Sequence, residues 1–104
     1  MSSKLDRIQD WLALAKHAKY SARRLATLCR VSLRQLERYF NDSFDRPPQE
    51  WLNEARFREA EKLLLNGLSV KEVAYRLGFK QASHFSRLFK QHTGRPPSAY
   101  GARR

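Results

Sequence analysis

The hexapeptide RPPQEW at 46–51 returns as RPPSAY at 95–100, so the chain carries two copies of one unit spaced 49 residues apart. The match continues upstream at the same offset, pairing Leu36 with Phe85, Arg38 with Arg87 and Phe40 with Phe89. Ala26 pairs with Ala74 at an offset shorter by one, and the lost residue falls inside a turn. Self-similarity of this kind means one supersecondary unit used twice. Each copy reads as a short helix, a tight turn, a second helix and a Pro-Pro stop, which is a helix-turn-helix. The two copies flank a longer helix at 48–65.

Punctuation and periodicity agree with that outline. Glycine occurs only at 67, 78, 94 and 101 and proline only at 47, 48, 96 and 97, so breakers are few and clustered. Between them apolar residues recur at three and four: Leu5, Ile8, Leu12 and Ala15; Leu33, Leu36 and Phe40; Val70, Val73, Ala74 and Leu77; Ala82, Phe85 and Phe89. No stretch alternates as a strand would. Ser32 with Gln35 and Ser69 with Glu72 fit capping boxes, Asn66-Gly67 and Gly94 fit helix stops, and Pro48 and Pro97 suit first turns. The expected fold is all-α: helices near 4–16, 22–29, 33–44, 48–65, 70–77, 81–93 and 97–102. These make one domain over 1–104, with lobe 1 at about 5–46, a linker helix at 48–65 and lobe 2 at about 68–102.

A chain of 104 residues and 12.3 kDa has room for one domain or two very small ones, not for a multidomain enzyme. Its 21 Lys and Arg against 10 Asp and Glu leave a formal charge of +11, which points to an acidic polymer as partner. The surplus is concentrated: residues 62–104 hold nine cations and one acid, Glu72. The longest apolar run, Trp11 to Ala15, is far too short for a bilayer span, and the polar start MSSKLDRIQD has no secretory core, so a cytoplasmic location is expected. The single Cys29 excludes an internal disulfide, and no Cys/His spacing suits a metal. Cys29, Trp11 and Trp51 read as core residues, and His17, His84 and His92 as packing or surface. No paired carboxylates, GxSxG or glycine-rich phosphate loop is present, so neither catalysis nor a cofactor is expected.

On the second helix of each copy, at about 100° per residue, one face is apolar and the other chemical. Leu33, Leu36, Tyr39 and Phe40 turn inward while Arg34, Glu37, Arg38 and Asn41 turn outward. In the second copy Ala82, Phe85, Leu88, Phe89 and His92 turn inward, and Ser83, Ser86, Arg87 and Lys90 outward. A DNA major groove admits one such helix, and its bases are distinguished by protruding donors and acceptors. Arg34, Arg38 and Arg87 can each fork onto guanine, Glu37 can accept from cytosine, and Ser83 and Ser86 suit either base type. Each good pair discriminates by about 1–3 kcal/mol. Gln35, Lys80 and Gln81, near the starts of the two readers, complete the base-facing set. Arg23, Arg24, Ser32, Lys71 and Lys90, again with Lys80, are expected on phosphates, together with amides where helices open near Ala22 and Val70.

The run GFKQASHFSRLFK followed by HTGRPPSAY resembles the AraC/XylS family of bacterial transcription regulators. Its signature is matched by Ala74, Leu77, Gly78, Phe79, Ser83, His84, Phe85, Ser86, Arg87, Phe89, Lys90, Gly94, Pro97 and Tyr100. The first copy fits through Leu25, Ala26, Ser32, Leu36, Arg38, Phe40, Trp51, Leu52, Arg56, Ala60 and Leu64. The resemblance, covering about 5–100, implies a bilobed seven-helix module whose third and sixth helices enter successive major-groove segments about 34 Å apart. It also implies a sequence-specific regulator that binds double-stranded DNA as a monomer, with RNA polymerase as a further partner. The rival class is a protein-interaction module that keeps the fold. Three positions depart from the family pattern. Arg30 and Asp45 stand where glycine is common, and Gln81 replaces a usual cap, leaving it either to fray the first turn or to touch a base.

Overall fold

Several helix boundaries are fixed by local capping hydrogen bonds. The computed structural model describes residues 4–101. Among these, seven α-helices and no strand are present: α1 (Trp11–His17), α2 (Ala22–Leu28), α3 (Leu33–Phe44), α4 (Pro48–Leu65), α5 (Val70–Arg76), α6 (Ala82–Thr93) and α7 (Ser98–Gly101). Capping boxes close the starts of α3 and α5 through Ser32 with Gln35 and Ser69 with Glu72. Pro48 opens α4, where its missing N–H costs nothing.

The first expected helix, 4–16, is in fact two elements. A 3-10 turn spans Lys4–Arg7, and α1 starts only at Trp11, because the Asp10 carboxylate accepts from the Ala13 amide at 3.0 Å. A side chain that bonds its own downstream backbone starts a helix rather than continuing one.

The chain divides into two compact units, one ending at Ala55 and the other starting at Arg56. That boundary falls within α4, so its first half belongs to one unit and its second half to the other. In the first unit Leu5, Leu25, Leu36, Phe40 and Leu52 are buried, and Trp11 packs edge-on to Phe40 at 4.9 Å. Phe40 in turn meets Phe44 at 4.9 Å and Trp51 at 5.5 Å, so α1, α3 and α4 share one aromatic cluster. In the second unit Phe57, Val73, Phe79, Phe85 and Phe89 are buried, with Phe79–Phe85 at 5.3 Å and Phe89–Tyr100 at 5.5 Å. Burying each such side chain stabilises by about 1.5–3 kcal/mol relative to exposure. The Arg56 guanidinium lies 4.1 Å over the Phe79 ring, and the Tyr100 hydroxyl donates to Glu61 at 2.7 Å, tying α7 to α4.

The turn between the paired helices is the same in both copies. After α2, Arg30 N–H donates to Thr27 and Val31 N–H to Ala26, both at 3.1 Å; after α5, Gly78 donates to Tyr75 and Phe79 to Ala74, at 3.1 and 2.9 Å. This is the Schellman closure, in which one left-handed residue lets two amides fold back. Arg30 (φ 58°) and Asp45 (φ 58°) adopt the left-handed conformation that Gly78 (φ 87°) and Gly94 (φ 81°) adopt in the second copy. The repeat thus extends to backbone conformation even where the residue types differ.

Candidate nucleic-acid interface

Two helices, each half apolar and half chemical, make the site. On α3, Leu36 and Phe40 are 0% exposed while Arg34, Glu37, Arg38 and Asn41 all face solvent. On α6, Phe85 and Phe89 are likewise 0% exposed, and Ser83, Arg87 and Lys90 face solvent. The buried side locks each helix against its own unit, which fixes the direction of the opposite side.

Several assigned residues come together. Around α6, Lys80, Gln81, Ser83 and Arg87 line one open hollow of about 410 Å³, and His84 joins them. In the first unit, Arg23 and Glu37 line a second hollow of about 330 Å³ with Leu33, Pro48 and Gln49. Arg24, Lys71 and the capping Ser32 are exposed as well.

Gln35 is exposed, and its carboxamide oxygen accepts from the Ser32 amide at 2.8 Å, as the expected capping box requires. Three expected placements differ. Ser86 is only half-buried rather than fully outward, because it sits on the edge of the apolar face of α6. His92, expected inside, is exposed, with its ring 4.7 Å from Phe57. The Ala22 amide, offered to a phosphate by the sequence, donates to the Gln49 side chain at 2.9 Å. Gln49 also donates to the Tyr20 carbonyl at 2.9 Å and so clamps α4 to the turn before α2.

His84 is the residue that periodicity did not bring out. It is exposed on the first turn of α6, set edge-on to Phe79 at 5.6 Å. The signal lay in Gln81, a weak cap that leaves the third helical position without the role Gln35 has in α3. Behind α3, burial pushes the Tyr39 phenol up; a hydrogen bond from Ser43 offsets this in part, while the Asp6 carboxylate adds to it. No helix of the described residues is long and apolar enough to cross a membrane.

Two helix-turn-helix units, each presenting a half-exposed second helix with basic and polar side chains, define a helix-turn-helix module. A family model described as a helix-turn-helix domain matches residues 25–103. The chain belongs to the AraC/XylS family of helix-turn-helix regulators. It is 34% identical over 93 residues to the HTH-type transcriptional activator RhaS of Escherichia coli K12, covering 86% of this chain and 33% of that protein. The chain thus spans about a third of the length of the curated relatives it matches. A transcriptional regulator with an AraC-type DNA-binding domain from Chromobacterium violaceum superposes with a TM-score of 0.74 at 27% identity, over 95% of this chain and 89% of that one. The C-terminal domain of the response regulator yesN from Fusobacterium nucleatum shares the fold, with a TM-score of 0.77 at 23% identity over 88% of this chain and 95% of that one.

Proposed function

We propose that this chain is a non-catalytic transcription regulator that reads double-stranded promoter DNA by placing α3 and α6 in successive major-groove segments. The observation that carries this reading is the matched pair of solvent faces, Arg34, Glu37 and Arg38 on α3 and Ser83 and Arg87 on α6. Each lies opposite side chains with no exposure at all. An inward face that rigid leaves the outward polar groups preorganised, so less ordering entropy opposes binding.

Arg34, Arg38 and Arg87 suit guanine, Glu37 suits cytosine, and Gln81 and Ser83 suit bases of either type. Arg23, Arg24, Ser32, Lys71, Lys80 and Lys90 suit phosphates, which position the protein without selecting sequence. The proposed setting is the bacterial cytoplasm, with the chain binding as a monomer and RNA polymerase as a further partner.

Selection of bound duplexes from a random pool, followed by salt titration of selected and unselected DNA, tests the reading. A defined motif bound about 10³-fold or more tighter than unselected DNA is expected, with both affinities falling steeply with salt. Equal affinity for every sequence would leave only a nonspecific DNA coat. No binding at all would return the chain to the protein-interaction class.

A further inference from the structure

The two readers open in chemically different ways. α3 opens on Ser32, whose hydroxyl accepts from the Gln35 amide at 3.0 Å while Gln35 accepts from the Ser32 amide at 2.8 Å. Its third helical residue is therefore occupied in holding its own first turn. α6 opens on Gln81, extended at φ −133° and ψ 134°, whose side chain makes no capping hydrogen bond. Its third helical residue is His84. No reciprocal bond of the Ser32–Gln35 kind is present there among the described residues.

The imidazole stands exposed in the first turn of α6, beside Lys80, Gln81, Ser83 and Arg87. Ser86 is half-buried where His84 is exposed, so the solvent face of α6 is turned toward His84.

We infer that His84 is a specificity-determining residue of the second reader, donating a ring N–H to an acceptor on a base edge next to the one met by Arg87. This rests on the DNA-reading function proposed above. In helix-turn-helix docking the N-terminal residues of the reader reach the base edges, and residue 84 lies in that first turn. His84 and Arg87 are three apart, hence neighbours on the helix surface. Neutral imidazole carries one donor and one acceptor, enough to tell a purine N7 from an edge that presents only a donor. Packing against Phe79 at 5.6 Å restrains the ring, so less rotamer freedom is lost on binding.

The test uses the full chain and its His84→Ala, His84→Asn and Arg87→Ala variants in duplex selection, with thermal melting as the check on folding. His84→Ala is expected to erase preference at a base pair adjacent to the one erased by Arg87→Ala. It should also weaken binding to the parental motif about 5- to 100-fold, with unselected duplexes unaffected. His84→Asn, which keeps a donor, should retain a defined base at that position. A normally melting His84→Ala chain that selects the parental motif, or that loses selected and unselected DNA alike, overturns the inference while leaving the DNA-reading function in place. A parental chain that selects no motif overturns both.

Discussion

Arg30 and Asp45 hold left-handed backbone at φ 58° each, where the second copy has Gly78 and Gly94. A side chain in that region costs roughly 1–2 kcal/mol, against the 0.5–1 kcal/mol that glycine's extra freedom costs in the unfolded chain. Arg30→Gly should therefore stabilise the fold by about 0.5–1 kcal/mol in urea unfolding. Gly94→Ala should do the reverse by about 0.5–1 kcal/mol, although a methyl group there meets nothing within 4 Å, since the penalty is conformational. Tyr39 gives a pH dependence. Its folded-state value is raised above 10.0 by burial first, with Asp6 adding to the rise. The folded chain then holds that proton more tightly than the unfolded one, so the contribution is complete below the ordinary phenol range. It fades as pH climbs through the raised value. Melting temperature measured from neutral into strongly alkaline pH should fall in the parent, and more shallowly in Tyr39→Phe.

Among the elements, α3 and α4 were legible to the residue, because Ser32, Pro48 and the apolar spacing between them leave little choice. The opening segment was not. A spacing of three, as in Leu5 and Ile8, suits a 3-10 turn as well as an α-helix, and only the Asp10 carboxylate on Ala13 decides between them. The solvent-facing sides of α3 and α6 were likewise legible from Leu36, Phe40, Phe85 and Phe89. The engagement of the Ala22 amide was not, because its partner is a side chain 27 positions away. Gln49 illustrates what such a long-range contact does. Gln49→Ala removes two hydrogen bonds that hold α2 and the Tyr20 turn to α4, and is expected to cost about 1–3 kcal/mol. Hydrogen exchange should report the loss as faster exchange at the start of α2.

For the whole molecule, charge divides unevenly between the units. Residues 1–55 hold ten cations and seven acids, whereas residues 56–104 hold eleven and three, Arg103 and Arg104 among them lying outside the described residues. The second unit thus carries the larger positive surplus. Lys90→Ala should weaken all duplexes alike and reduce the slope of affinity against salt by about one, with the selected motif unchanged. Arg38→Ala and Arg87→Ala should each blur the motif, at opposite ends of it. Footprints and selected motifs of the three variants check both expectations. The open first turn of α6 reaches further still. Because the side chains of Gln81 and His84 make no capping bond at its helix start, exchanges there should alter the proposed base readout at little cost to the helix cap. Ser32 and Gln35 allow no such drift, so divergence between sister lineages should accumulate at one end of the target and spare the other.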